Sequence, residues 1–307
     1  MVPASKGHRG RGLQPQRAFL EVIVDDTTIT PALSGICAGF ESGEWRARQL
    51  ARRLFKGIID FALSHSERKE FDSDTGMEMI GRAVRKIYTS EKYTSRGEFG
   101  ELLLHVTLRE VFRTQVAVSK IYFKDASNDT VKGFDAVHIV ENGDELELWL
   151  GEVKFYTDLA RAIRDVRQEL HDHLATDYLR HEFMAIEGKI DKEWKHAPTL
   201  QRMLHEDVSL DEIFDNITIP VLLTYDSKVV ADRVTQLKGN PQLSPNTTIE
   251  EYRANFEAEV RKGWDKFVAA GLPPRVKIRL ILVPLHLKSV LIRALHERLM
   301  SWQEATA

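Results

Sequence analysis

The chain has 307 residues, with 43 Lys and Arg against 46 Asp and Glu, a formal net charge of −3 that excludes an extreme polybasic or polyacidic protein. At 43% hydrophobic, 29% charged and 8% aromatic residues, the composition excludes bulk disorder and collagen-like repeats and supplies enough apolar side chain for one large core or two smaller ones. The single cysteine, Cys37, excludes an internal disulfide, offers no metal-ligand spacing and points to a reducing compartment.

Residues 1–17 carry Lys6, Arg9, Arg11 and Arg17 with no acid, among Gly, Pro and Gln, and read as a flexible basic tail. They lack an apolar signal-like run, and no later stretch is long and uncharged enough to span a bilayer, so a soluble cytoplasmic protein is expected. Ordered structure should begin at Ala18 with the β-rich AFLEVIV. A helix from about Glu44 places Leu50, Leu54, Ile58 and Phe61 on one face, with Arg46, Arg48, Arg52, Arg53 and Lys56 on the rest. Such charge runs are more often a solvated face than a nucleic-acid site. Helices follow over about 75–88 and 97–112, then the strands SKIYFK, GFDAVHIV and ELELWLGEVKFY. Asp158 can cap a helix running to about Tyr178, and a polar helical region leads to the strand ITIPVLLTY and a loop with Gly239, Pro241 and Pro245. Thr248 and Glu251 have capping-box spacing ahead of a helix whose Tyr252, Phe256, Val260 and Phe267 are core. The chain closes with VKIRLILV and a helix bearing Leu287, Leu291, Leu295 and Leu299. No internal repeat or interdomain linker stands out, which favours one α/β unit with a helical amino-terminal part. Its segments are the tail (1–17), an amino-terminal α/β segment (18–90) and the main domain (91–303).

Asn142-Gly143 between two β-rich runs is a strong hairpin signal, because both central positions of a type I′ turn need positive φ. The register it implies pairs Glu141 with Asp144, Ile139 with Leu146, Val137 with Leu148, Asp135 with Leu150 and Gly133 with Glu152. Alternation then puts Asp135, Val137 and Ile139 on one face with Leu146, Leu148, Leu150, Glu152 and Lys154. Asp135 and Glu152 become diagonal neighbours with Cβ atoms roughly 7 Å apart, a separation that a divalent cation can bridge. Lys154, two residues on, can orient a water and offset charge growing on a phosphate. On the preceding helix Glu98, Glu101 and His105 share a face, which could aim another carboxylate at the metal or be ordinary exposed groups.

A helical Glu, a strand Asp and Glu-x-Lys on the next strand, here Glu101, Asp135 and Glu152-Val153-Lys154, resemble the PD-(D/E)XK nuclease superfamily. Gly133-Phe134-Asp135 stands where a Pro-Asp is usual. The longer pattern of RGEFGELLLH, KGFDAVHI, LWLGEVKFY and a closing VKIRLILVPL is similar to the HamA family, nuclease subunits of the Hachiman anti-phage system. That resemblance covers roughly 90–290. It implies a restriction-endonuclease-like core, a mixed sheet flanked by helices, acting on DNA in defence with a superfamily 2 helicase partner, HamB. It also implies a catalytic set of Asp135, Glu152, Lys154 and Glu101. Mg²⁺ or Mn²⁺ would be held by Asp135, Glu152, the Val153 carbonyl and Glu101, with Glu98 as the alternative acid.

Gln168 resembles the glutamine of RecB-like nucleases, but the tyrosine expected four residues on is Asp172, so Gln168 is not counted as catalytic. His171 and His173, two apart on a helix, face different directions and read as an exposed polar surface. Lys120, Tyr122 and Lys124 alternate onto one strand face, either a phosphate track for nucleic acid or an edge strand protected by lysines. No GxxxxGK[ST] loop is present, so any ATP use belongs to a partner. Two other readings stand beside the nuclease subunit: a non-catalytic DNA-binding or regulatory subunit on a nuclease fold, and a stand-alone restriction-type endonuclease.

Overall fold

The computed structural model describes residues 19–72, 74–87, 97–118, 133–143, 145–239, 248–274 and 276–307. The amino-terminal part contains β1 (Glu21–Asp26), β2 (Ala32–Cys37), the short pair β3 (Phe40–Glu41) and β4 (Glu44–Trp45), then α1 (Ala47–Lys56), α2 (Ile58–Ala62), α3 (His65–Lys69) and α4 (Gly76–Ile87). Next come α5 (Glu98–Val111), β5 (Gln115–Val118), β6 (Ala136–Asn142), β7 (Glu145–Phe155), α6 (Leu159–His173) and α7 (Thr176–Lys189). The remainder is α8 (Ala197–Leu204), α9 (Leu210–Asp215), β8 (Ile217–Asp226), α10 (Lys228–Gly239), α11 (Ile249–Ala269), β9 (Lys277–Leu285) and α12 (Lys288–Ala305).

Seven strands form one mixed sheet in the order β1-β2-β9-β8-β7-β6-β5. The central strands β2, β9, β8 and β7 are mutually parallel; β1 pairs antiparallel with β2 at one edge, and at the other β6 pairs antiparallel with β7 and β5 with β6. Parallel strands covered on both faces need apolar runs rather than alternation, and ITIPVLLTYD is buried from Ile217 to Tyr225. One face, carrying Ala136, Trp149, Val153 and Phe155, packs against α1, α2, α4, α5 and α12. The opposite face, carrying Val137, Ile139, Leu148 and Leu150, packs against α6, α7 and α11. The result is helix, sheet and helix in three layers. No described helix is long and apolar enough to cross a membrane.

The amino-terminal part is therefore more than helical, since β1 and β2 extend the main sheet. β2 (ALSGIC) carries no alternation because all but its first residue is buried. The helix expected from Glu44 begins at Ala47, behind the β3–β4 pair. Asp158 caps α6, its carboxylate accepting the Arg161 N–H at 2.7 Å, but the helix ends at His173 and a new one starts at Thr176. α10 has no counterpart in the sequence reading. Thr248 makes no capping bond; its φ is +56° and its hydroxyl accepts from Arg233 at 2.8 Å instead. Tyr252, Phe256, Val260 and Phe267 are core as expected, as are Leu291, Leu295 and Leu299, whereas Leu287 is exposed ahead of α12. SKIYFK, with Lys120, Tyr122 and Lys124, and most of the Gly239–Pro245 loop lie outside the described residues.

α5 is buried all round from Phe99 to Leu108, so Glu101 and His105 are not an exposed polar face. The His105 ring meets the His138 ring edge-on at 5.2 Å, and His138 Nδ1 is hydrogen-bonded to the Thr114 hydroxyl at 2.7 Å. Burial, with Arg68 adding to it, pushes His105 down to about 3. Burial, helped by His105 and Arg109, holds His138 well below its ordinary value. Both rings are neutral in the folded chain, and the unfolded chain takes up their protons below about pH 6.5. Stability is therefore lost as pH falls below that value, by about 1.4 kcal/mol per pH unit for each ring. Urea midpoints measured from pH 6.5 to 4.5 should fall accordingly, and His105→Phe should flatten the slope; an unchanged slope in that variant would refute the assignment.

Candidate active site

The hairpin that carries the acids forms with a register two residues from the one expected. Asn142 pairs with Glu145, Ile139 with Leu148 and Val137 with Leu150, and the turn opens on Gly143 at φ +66°. A glycine at the first of two loop positions is an equally good hairpin closure. Because the shift is even, every side chain keeps its face.

β6 begins at Ala136, opposite Gly151, so β7 runs past it toward its carboxyl end with β8 alone alongside over Glu152–Phe155. Asp135 fills the place of the missing partner. Its N–H donates to the Gly151 carbonyl at 2.7 Å, and its carboxylate accepts the Val153 N–H at 2.9 Å. Asp135 thus hangs on the β7 backbone beside Glu152, closer in register than the expected diagonal. Gly133 is required here, since a Cβ on it would stand 2.5 Å from Glu182 Oε1. Glu182 also accepts the Phe134 N–H at 3.3 Å.

Glu152 is 1% exposed and Lys154 9%. Both are served by α6, whose Val166 and Leu170 are buried against the same face of the sheet. Glu169 and His173, four apart and so on one side of the helix, reach the pair. Glu169 forms an ion pair with the Lys154 ammonium, and His173 Nδ1 lies 2.7 Å from Glu152 Oε1. The His173 ring stacks on Tyr178, 4.8 Å between centroids and 6° apart, and meets Phe134 edge-on at 5.1 Å.

Burial and the neighbouring Asp135 push the Glu152 carboxyl up to about 7, against the opposing pull of His173 and Lys154. Burial works against the Lys154 ammonium, but Glu169, Glu152 and Asp135 outweigh it and hold its pKa above the ordinary lysine value. His173 is likewise raised: burial disfavours its charge, but the hydrogen bond to Glu152 and the charges of Glu152, Glu169 and Glu182 together outweigh that. Two acids that repel each other beside a retained ammonium form a site that a divalent cation would relieve.

The structure brings Asp135, Glu152 and Lys154 together, and it does not add the helical acids. Gly100 and Leu104 seat α5 on Phe155 and Gly151, so the helix bearing Glu98 and Glu101 covers the sheet face opposite Glu152 and Lys154. Among the described residues no group of three or more His, Cys, Asp and Glu side chains is placed to hold a metal, and Glu101 thus does not complete a three-acid cage. A carboxylate pair still fits Mg²⁺, which is commonly held by one or two protein carboxylates with water and substrate phosphate filling its octahedron. His173 is a correction, since it contacts Glu152 rather than lying on an exposed surface. His171 does point elsewhere, toward the Gly271 carbonyl at 3.4 Å. Gln168 is occupied with Asp172 at 2.9 Å. Glu169 and Glu182 went unnoticed in the sequence, although Val166, Glu169, Leu170 and His173 form one helical stripe.

The HamA family model matches residues 17–299, a span that takes in all seven strands of the main sheet and α12 as far as Leu299. No curated protein matches the chain. With the family pattern running through nearly its whole length, the chain belongs to the HamA family.

Proposed function

We propose that the chain, as the HamA subunit of a Hachiman defence system, is a metal-dependent deoxyribonuclease of the PD-(D/E)XK type that works with the helicase HamB. The observation that carries this reading is the meeting of half-buried Asp135 with buried Glu152 and Lys154 where β7 outruns β6. Asp135 and Glu152, with the Val153 carbonyl, are the groups that would hold Mg²⁺. When bound, the ion polarises a phosphate oxygen and makes water a better nucleophile. Lys154 supplies a compact ammonium that orients the attacking water and offsets negative charge growing on the phosphate. His173 fixes the Glu152 carboxylate in one orientation, and Glu169 fixes the ammonium. Tyr178 and Phe134 hold the imidazole between them, which limits its rotation.

The intact Asp135, Glu152 and Lys154 favour an enzyme over a DNA-binding subunit on a degenerate nuclease fold, and one experiment separates the readings. Linear DNA is incubated with the purified chain, with and without HamB and ATP, in Mg²⁺ or in EDTA. Cleavage that requires Mg²⁺ and is much stronger in the complex is expected, because a chain of net charge −3 can hold DNA only through local basic patches, to which a partner adds its own grip. Absence of cleavage from the complex would favour the binding subunit. Vigorous digestion by the isolated chain at physiological salt, unchanged by HamB, would favour a stand-alone enzyme.

A further inference from the structure

Across the sheet from Glu152, the last turns of α1 and α5 enclose a cavity of about 190 Å³ lined by Arg53, Lys56, His105, Arg109, Glu110 and Arg113. Four cations meet one carboxylate there. Arg53 is paired with Glu110 and Arg109 with Asp60, whereas Lys56 and Arg113 are exposed and have no carboxylate partner among the described residues. Arg113 holds a left-handed backbone, φ +59°, directly after α5. Basic residues at helix carboxyl ends are ordinary, since they complement the helix dipole. That account covers Arg53, Lys56 and Arg109 one by one; it does not explain their convergence on a shared cavity.

His105 supplies the second observation. Its ring is 3% exposed, yet Nε2 has no hydrogen-bond partner among the described residues. Leaving a buried polar atom without a partner is costly, and this one belongs to a residue that lines the cavity. Nε2 itself is closed off from solvent, so the ring walls the cavity, and the ammonium of Lys56 and the guanidinium of Arg113 are what an anion would meet. Arg109 also lines a second cavity of about 420 Å³ with His65, Arg68, Lys69, Glu193 and Lys195, but there Arg68, Lys69 and Lys195 are already paired with Asp60, Glu193 and Glu141.

We infer that this cavity binds a backbone phosphate of a nucleic-acid strand, with Lys56 and Arg113 as its donors. The geometry suits an oxyanion, with two flexible, unpaired cations at the mouth of a cavity whose other two cations, Arg53 and Arg109, already have carboxylate partners. Because the cavity lies on the opposite side of the sheet from Glu152, it grips a segment other than the one being cut. The inference rests on nucleic acid being the substrate class, and it is independent of whether the chain cleaves.

The test uses the full chain in EDTA, so that binding is read without cleavage. Anisotropy of a labelled single-stranded oligonucleotide is followed from 50 to 200 mM salt for wild type and for Lys56→Glu combined with Arg113→Glu. Both positions are exposed and without ion pairs among the described residues, so the double variant should melt as wild type does. Its affinity should fall at least tenfold, with a salt slope shallower by about 0.7 for each phosphate that is no longer neutralised. Lys238→Glu with Lys262→Glu, on α10 and α11, makes the same change in net charge and should alter affinity less than threefold. Equal losses in both variants, or unchanged affinity in the first, would overturn the inference. So would inorganic phosphate raising the melting temperature of wild type alone while oligonucleotide affinity is the same in both, which would mark a small-anion site. Pocket-dependent binding by a chain that never cuts would defeat the nuclease reading and leave this one standing.

Discussion

Glu152→Gln and Lys154→Ala should each reduce Mg²⁺-dependent cleavage by the complex to background while the protein stays folded. The glutamine keeps the shape of the side chain and a hydrogen-bonding oxygen for His173, and it removes the charge needed for the cation. It also relieves the repulsion with Asp135 that raises the Glu152 pKa, so stability should hold or rise. Loss of the Lys154 ammonium removes a charge positioned for the transition state, a change of about 10²–10³-fold in rate for a single such group. Its partner Glu169 is 40% exposed, so water can solvate the carboxylate left behind. Lys154→Arg should also be poor, because a planar fork does not replace a compact ammonium. Glu169→Gln is the contrast: it leaves Lys154 in place and should change the rate less than tenfold. Cleavage rates alongside thermal melts decide the matter, and near-wild-type activity in Glu152→Gln or Lys154→Ala would remove those residues from the mechanism.

Gly100→Val is expected to cost about 1–3 kcal/mol of stability, the range for overpacking a filled interior. A Cβ at Gly100 would lie 2.7 Å from the Phe155 Cβ, an atom fixed to the β7 backbone that no rotamer change can move. α5 and β7 would have to separate, and Phe155 follows Lys154 directly in the strand. The substitution should therefore lower the denaturation midpoint and the cleavage rate together, although Gly100 touches no substrate. An unfolding free energy within about 0.5 kcal/mol of wild type would show that the two elements yield more readily than the close approach implies.

The sequence reading was strongest where a local pattern had one solution. Alternation along GFDAVHIV and ELELWLGEVKFY assigned Asp135, Glu152 and Lys154 to one face, and Asn142-Gly143 marked the hairpin, although its register lay two residues away. β2 was missed because its burial on both faces leaves no polar and apolar alternation to mark one of them. α10 was missed between the plain strand before it and the glycine and prolines after it. Glu98, Glu101 and His105 do share a helical face, but no periodicity says which side of the sheet a helix will cover. Glu169 and His173 lie 15 and 21 residues from their partners. Their contacts depend on how α6 folds back over β7, a tertiary fact that no local spacing encodes.

The even shift in the hairpin bears on how this chain tolerates length change. Moving one strand past the other by two residues returns each side chain to its side, so sliding by a whole pleat costs the site nothing in orientation. Deleting one residue between Ala136 and Asn142, with the pairing to β7 kept from the loop inward, turns Asp135 toward Trp149 and Phe155 and away from Glu152. Deleting two restores the orientation and only shortens the distance to the loop. Among homologues, β6 should therefore vary in length by pairs of residues, and an odd difference should be accompanied by a bulge that restores the parity.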